Sequence, residues 1–245
     1  MGRTRADKLL VERGLFATRA KAKAAIEAGA VLVEGKPLLK PADALSDGVD
    51  FQLTHDPYPW VSRAGLKLQH GADLVRLDFA GRTVLDVGAS TGGFTEVALS
   101  RGAAHVFAVD VGHGQLVPHL AANPRVTDLS GTNARDVSLA LLGEPVDLIL
   151  CDVSFISARH VLPPALGCAK ADAALALLIK PQFEAGRQAV GRGGLVKDPA
   201  VQARVVAELA GFVEDLGLGV RCIAQSPIEG GDGNREFLCL AERPA

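Results

Sequence analysis

Apolar and polar positions are spaced differently in the two parts of this chain, and the change falls near residue 60. Before it the apolar runs are short. Leu9, Leu10 and Val11 sit among charges across residues 5 to 13, and Thr18 is placed to cap a second helix with Arg19, Lys21 and Lys23 on one side and Ala22, Ala25 and Ile26 on the other. Val31 to Leu38 has the alternation and glycine turn of a hairpin, and Asp50 to Leu53 reads as a further strand. Two helices and a small sheet make a compact α+β module over residues 1–56. His55-Asp56-Pro57-Tyr58-Pro59-Trp60 then carries two prolines in three residues, which forbid a helix and predict an extended linker at 57–61. Trp60 is expected to pin that linker against the next domain.

From residue 62 on, helix and strand patterns alternate. Ser62 is expected to cap a helix with Arg63 and Lys67 on one face and Leu66 turned to the core. Apolar runs at 83–87, 105–109, 146–151 and 173–179 read as strands, with a short one at 125–127. Between them lie helices near 94–99, 115–121, 137–142 and 157–169. A long helix at 200–216 precedes two closing strands at 220–224 and 236–240. Apolar strands alternating with helices predict an α/β fold with a mostly parallel sheet covered on both faces, occupying 62–245. Residues just past the strand ends, Gly88, Asp110, Asp152 and Lys180, then gather along the edge where open α/β sheets bind ligands.

Composition adds little to this and excludes some function classes. Hydrophobic content of 48% and charged content of 22% describe an ordinary globular protein, and no run of about 20 apolar residues suggests a membrane span. The first residues lack the apolar core and cleavage site of a secretory leader, so a cytoplasmic location is expected. The net charge of -2 hides an asymmetry, since the first 23 residues hold seven basic side chains against two acidic ones. Cys151, Cys168, Cys222 and Cys239 show no C-x-x-C pairing and read as buried thiols; no metal site is expected.

The segment Leu85-Asp86-Val87-Gly88-Ala89-Ser90-Thr91-Gly92-Gly93-Phe94 joins the first long strand to a helix through a glycine-rich loop. Glycine admits positive φ and lets a ligand touch bare backbone. The pattern is D-x-G-x-x-x-G-G, without the G-x-G turn of dinucleotide folds. An acid still arrives on schedule at Asp110, where a carboxylate can accept both hydroxyls of a ribose. Adenosine without a pyrophosphate fits this best, which points to S-adenosyl-L-methionine, with other nucleotides or a purely structural turn as the alternatives. The expected cofactor set is Gly88, Ser90, Thr91, Gly92, Gly93, Phe94 and Asp110, with Asp128, Asn133 and Asp152 around the adenine and methionine ends.

After the strand at 146–151 stands Cys151-Asp152-Val153-Ser154-Phe155, which is neither the [DN]-P-P-[YF] motif of base-amine methylation nor the exposed cysteine that C5 methylation needs. Lys67, Asp152, Lys180 and Glu236 remain as polar residues able to meet at the cleft. Two lysines and two acids suit deprotonation of a ribose 2′-hydroxyl. A desolvated lysine beside another cation can take that proton while carboxylates orient the hydroxyl. An ion pair at a sheet edge is the structural alternative for each of them taken singly.

The order RADKLLVERGL then TRAKAKAAIEAGAVLVEGK resembles the S4 RNA-binding domain, which makes Arg5, Lys8, Arg19, Lys21 and Lys23 candidate phosphate contacts. A solvated lysine face used for protein contacts is the alternative. Further on, VSRAGLKL, LDVGASTGGFTE, VDVGHGQL, DVSFIS, KPQFEAG, GLVKDP and SPIEGGDGNREFL together resemble the TlyA family, S4 domains joined to an FtsJ-like methyltransferase domain and historically labelled hemolysins. The resemblance implies a Rossmann-like class I methyltransferase with a seven-stranded sheet whose last strand runs antiparallel. It also implies S-adenosylmethionine-dependent 2′-O-methylation of cytidine in ribosomal RNA, with a Lys-Asp-Lys-Glu set falling on Lys67, Asp152, Lys180 and Glu236. The chain departs from the family at Tyr58-Pro59-Trp60, where relatives often carry Arg-x-Trp, and at Asp128 to Gly131, beside the expected adenine contacts. Rival readings are a non-catalytic RNA-binding assembly factor, which the intact loop and tetrad disfavour, and a membrane-active hemolysin, disfavoured by the absence of a membrane segment. Oligomeric state and target nucleotide stay open.

Overall fold

A computed structural model describes residues 3–16, 18–54 and 59–243. The chain divides into two compact units, Met1–Pro59 and Trp60–Ala245. The tyrosine and first proline of the expected linker lie outside the described residues.

In the first unit β1 (Arg3–Arg5) leads into α1 (Ala6–Glu12), followed by α2 (Arg19–Glu27), β2 (Val31–Val33), β3 (Lys36–Pro37), β4 (Ala44–Ser46) and β5 (Phe51–Leu53). Thr18 caps α2 as expected, its hydroxyl accepting from the Lys21 N–H, a contact worth about 1 kcal/mol. The apolar faces of α1 and α2 meet β2 in a core of Leu10, Ala22, Ala25, Ile26 and Val31. Each large side chain fully buried there contributes about 1.5–3 kcal/mol. β2 pairs antiparallel with both β3 and β5, while β1 pairs with β4 in a separate ribbon that the charged Arg-Thr-Arg run did not announce.

The second unit opens with α3 (Ala64–Val75), β6 (Thr83–Val87), α4 (Gly93–Ser100), β7 (His105–Asp110), α5 (Pro118–Ala121) and β8 (Val126–Ser130). It continues through α6 (Leu139–Leu142), β9 (Val146–Cys151), α7 (Leu162–Leu166), β10 (Ala169–Ile179), α8 (Pro181–Glu184) and α9 (Pro199–Asp215), and ends with β11 (Gly219–Gln225) and β12 (Phe237–Glu242). One seven-stranded sheet has the order β11-β12-β10-β9-β6-β7-β8, in which β12 alone runs against the rest. Alternation along each strand builds two cores. Leu85, Val87, Leu175, Leu177 and Ile179 face α7 and α9, whereas Val84, Ala174, Ala176 and Leu178 face α3 and α4.

Three expected helices are shorter than the pattern predicts, and proline explains two of them. Pro118 begins α5, so 115–117 stays irregular, and Pro163-Pro164 fits only a first turn, so the stretch from 157 splits into a 3₁₀ turn (Ala158–His160) and the five-residue α7. The third, α6, begins at Leu139 under a Ser138 cap rather than at 137. Ser62 is not the cap of α3: Arg63 holds that position with no side-chain bond. The inward face of α3 is also rotated from expectation, with Lys67 and Leu68 buried and Leu66 half-buried. Trp60 packs onto α3 of its own unit. Its indole N–H donates to Gln69 Oε1 at 2.9 Å, and a side chain at Gly65 would collide with the ring.

Candidate active site

Because the parallel strands of the sheet end at one edge and antiparallel β12 begins there, chain topology alone draws distant residues together. Gly88 follows β6, Asp110 ends β7, Asp152 follows β9, Lys180 follows β10, and Glu236 precedes β12, whose Phe237 is in register with Ile179. Two adjoining cavities open at this edge, one of about 520 Å³ and one of about 270 Å³, and both are bordered by Gly88, Ser90, Asp152 and Ser154.

The larger cavity is mostly apolar, with Val109, Val111, Ala134, Ile156 and Val161 in its wall and Asp110 and Asn133 on its polar side. Asp110 is already fixed by backbone donors, its Oδ2 accepting from the Ser90 N–H at 2.9 Å and its Oδ1 from the Gly112 N–H at 2.8 Å. Each carboxylate oxygen keeps a lone pair for a ligand hydroxyl. The glycine loop holds Gly88 and Ser90 at φ 88° and 47°, and a Cβ on Gly88 would lie 2.6 Å from the Asp152 carbonyl oxygen.

The smaller cavity is charged. Lys67 Nζ donates to Glu236 Oε2 at 2.5 Å in a buried pair, with the two side chains 9% and 3% exposed. Lys180 Nζ lies 2.6 Å from Asp152 Oδ1 and donates to Ser154 Oγ at 2.8 Å. Asp152 Oδ1 is buried and its partner among the described residues is this ammonium, an ion pair and not a well-formed hydrogen bond. The four residues named from sequence thus form two acid-base pairs beside one cavity, with Lys67, Asp152 and Lys180 on its wall.

Thr91, Gly93 and Phe94 border the smaller cavity. Gly92 does not: a side chain there would run into Leu116 and Leu120, so its φ of 100° serves the packing of the loop. A Gly92→Val change would therefore disturb the core and not fill ligand space alone. Asp128 is also displaced from the site. It stands on β8, and its Oδ1 accepts from the Ser130 N–H at 3.0 Å and from the Ser130 hydroxyl, leaving Asn133 as the polar residue on that side. Sequence reasoning missed Ser62, Arg63, Ser154 and Phe155 at the cavity walls. Phe155 has φ 64° and is 92% exposed, with its ring 5.1 Å from that of Phe183; positive φ on a bulky residue leaves no mark in a sequence. Glu184 fixes this turn, accepting from the Ser157 hydroxyl at 2.6 Å and the Ala158 N–H at 2.7 Å.

Cys151 is fully buried, and burial pushes its thiol up to about 12, so it offers no thiolate nucleophile. Asp86, beneath the loop, is equally buried; its Oδ2 accepts from Thr95 Oγ1 at 2.6 Å and its Oδ1 has no partner among the described residues. Desolvation outweighs the Thr95 bond, Asp152 and Asp110 add repulsion, and the carboxyl is pushed up from 3.8 to about 7. The folded chain then holds a proton that the unfolded chain has released, so stability falls as pH rises through that window. Asp86→Asn is expected to flatten the fall, with melting temperature changing much less between pH 5 and pH 8 than in the parent. Equal slopes in thermal melts of the two proteins would show that Asp86 is ionised throughout.

In the first unit, Arg5 and Arg19 both pair with Asp7, Lys8 pairs with Glu12, Lys23 with Glu27, and Lys21 makes no ion pair among the described residues.

Comparison with known proteins places these features in context. Residues 60–243 match the profile of the FtsJ-like methyltransferases, and residues 4–50 match the S4 domain. The chain is 47% identical over 237 residues to the 16S/23S rRNA (cytidine-2′-O)-methyltransferase TlyA of Mycobacterium tuberculosis, covering 96% of this chain and 88% of that one. It is 34% identical to Hemolysin A of Brachyspira hyodysenteriae over 96% of this chain and 98% of the other. A solved structure from Streptococcus thermophilus, described as a candidate hemolysin, superposes with a TM-score of 0.77 at 37% identity, covering 99% of this chain and 89% of that one.

Proposed function

The chain belongs to the FtsJ-like methyltransferase family, and from that premise we propose that it methylates the ribose 2′-oxygen of cytidine in ribosomal RNA, using S-adenosyl-L-methionine. The observation that carries this reading is the pairing of Lys67 with Glu236 and of Lys180 with Asp152 beside a single cavity that adjoins the glycine loop.

The residues present fit the cofactor. An apolar cavity with a carboxylate on one side suits a nucleoside, and Asp152, ion-paired with Lys180, stands where the two cavities adjoin. Asp110 and Asn133 would hold the ribose and adenine, and the backbone of Gly88 to Thr91 the amino-acid end. When bound, S-adenosylmethionine supplies an electrophilic methyl group on a sulfonium. The chain's own work is to orient and deprotonate the 2′-hydroxyl, which is too weak an acid to attack unaided near neutrality.

In this reading Lys180 takes the 2′-proton on Nζ, Asp152 orients that amine from 2.6 Å away, and the Lys67–Glu236 pair sets the charge of the cavity wall. Exposed Phe155 beside the larger cavity offers a face on which an unstacked base can lie. The first unit supplies RNA affinity through Arg5, Lys8, Arg19, Lys21 and Lys23, and the protein works where ribosomes are, in the cytoplasm. The likeness to proteins called hemolysins spans nearly the whole chain, the stretch matching the FtsJ-like methyltransferase model included, so that name does not favour a second reading.

The test compares the full chain with one beginning at Trp60. The full chain is expected to transfer labelled methyl from S-adenosylmethionine to purified ribosomal subunits. The shortened chain should bind the cofactor with unchanged affinity and methylate at least tenfold more slowly. Equal rates would remove the role given to the first unit, and no transfer by the full chain would refute the reading as a whole.

A further inference from the structure

Five basic side chains in the first unit are candidate phosphate contacts, and they are not equivalent. Lys8 and Lys23 are held loosely by neighbours one helical turn away, with both partners about half exposed. Arg5 and Arg19 converge from β1 and α2 on one carboxylate, that of Asp7 in the first turn of α1. Arg5 Nε donates to Asp7 Oδ1 at 3.1 Å and Arg5 Nη2 to Oδ2 at 3.0 Å, while Arg19 Nη2 donates to the same Oδ2 at 2.9 Å. Sharing one oxygen puts the two Nη2 atoms within about 6 Å of each other. The acid is 5% exposed at its side chain, whereas the two arginine side chains are 51% and 56% exposed. The anchor is therefore buried while both arginine side chains stay about half exposed.

We propose that Asp7 is a positioning residue that holds Arg5 and Arg19 as a two-guanidinium clamp for a single RNA phosphate, an inference that rests on the RNA-binding role given to this unit. A guanidinium has five N–H donors in a planar fork. Arg5 uses two of them on Asp7 and Arg19 one, so each retains donors for an outside anion. Two planar donors fixed a few ångströms apart match the tetrahedral oxygens of a phosphate, and fixing them beforehand removes rotamer entropy that free surface arginines would lose on binding. Asp7 cancels one of the two charges, so the gain is in geometry and not in net charge. The bonds from Arg5 and Arg19 hold the Asp7 carboxyl down at about 2, so the anchor stays ionised across the working pH range.

The clamp predicts outcomes that independent surface charges do not. RNA affinity of the full chain would be measured by filter binding to purified ribosomal subunits across a salt series, with a thermal melt of each variant. Each neutralised phosphate contributes about 0.7 to 0.9 to the slope of log affinity against log salt. Because both arginines serve one phosphate, Arg5→Ala/Arg19→Ala together should lower the slope by about one such contact, and a fall of about two contacts overturns the clamp. Asp7→Asn should weaken binding several-fold although it makes the unit more positive; tighter binding would contradict the proposal. Should Asp7→Asn melt below the assay temperature, Arg5→Lys and Arg19→Lys keep both charge and acid but lose the fork, and unchanged affinity in those variants overturns it equally. If the two alanine changes leave affinity and slope untouched, the RNA-binding role of this face fails along with the clamp. A lowered affinity with a two-contact slope fails the clamp alone.

Discussion

Lys180→Arg and Lys180→Ala are each expected to lower methyl transfer by a factor on the order of 100 or more, the range associated with loss of a general base. Cofactor and ribosome affinity should stay within a few-fold. The expectation follows from how the two lysines are placed. Lys67 is committed to Glu236 by a buried contact. Lys180 follows the apolar strand β10, and its amine stands between Asp152 and Ser154 on the cavity wall. Arginine keeps the positive charge but cannot give up a proton near neutrality. The two substitutions should therefore fail alike, which separates a proton acceptor from an electrostatic clamp. Single-turnover transfer measured with saturating cofactor checks this; near-normal turnover in Lys180→Arg would assign the proton another route.

Gly88→Ala should cost cofactor binding at least as severely. Its φ of 88° disfavours any side chain, and the added methyl would lie 2.6 Å from the Asp152 carbonyl oxygen and 3.2 Å from Val153 Cα. Neither of those backbone atoms can yield without parting β6 from β9 at the place where both cavities meet. An affinity loss of about 100-fold or more is expected in calorimetric titration, together with about 2–4 kcal/mol of stability, as for strain at a special backbone position combined with a clash. Gly143→Ala is the control. It has a similar φ of 83° with nothing within 4 Å, so it should cost about 1 kcal/mol and leave binding unchanged. Unchanged affinity in Gly88→Ala would remove the loop from the cofactor site.

How much of this was legible in the sequence depended on whether a feature is written in local pattern. Strands such as Val146–Cys151 and the cap at Thr18 follow from apolar runs and one hydroxyl, and they stand where expected. The gathering of Asp152, Lys180 and Glu236 followed from topology: once parallel strands alternate with helices, their ends share an edge, although placing Glu236 there required the antiparallel last strand that only family resemblance supplied. Failures arose where the decisive fact is a direction in space. Nothing local distinguishes Gly92, turned to Leu116 and Leu120, from Gly88, turned to Asp152. Asp128 bends back onto its neighbour Ser130, a short-range competition that spacing does not reveal. Lys67 was expected on one helical face with Arg63, yet Arg63 is exposed and Lys67 buried, which is intelligible only with Glu236, 169 residues away, beside it.

The central claim concerns which atom receives the methyl group. A 2′-O-methyl group blocks the oxygen that attacks the neighbouring phosphodiester in alkali, so the product can be read chemically. Ribosomal subunits methylated by the full chain with labelled S-adenosylmethionine would be hydrolysed in alkali and the labelled product isolated. The account predicts label in an alkali-resistant dinucleotide whose 5′ residue is cytidine, lost when Lys180 is replaced by arginine. Label recovered in an alkali-labile mononucleotide would place the methyl on a base and contradict the account.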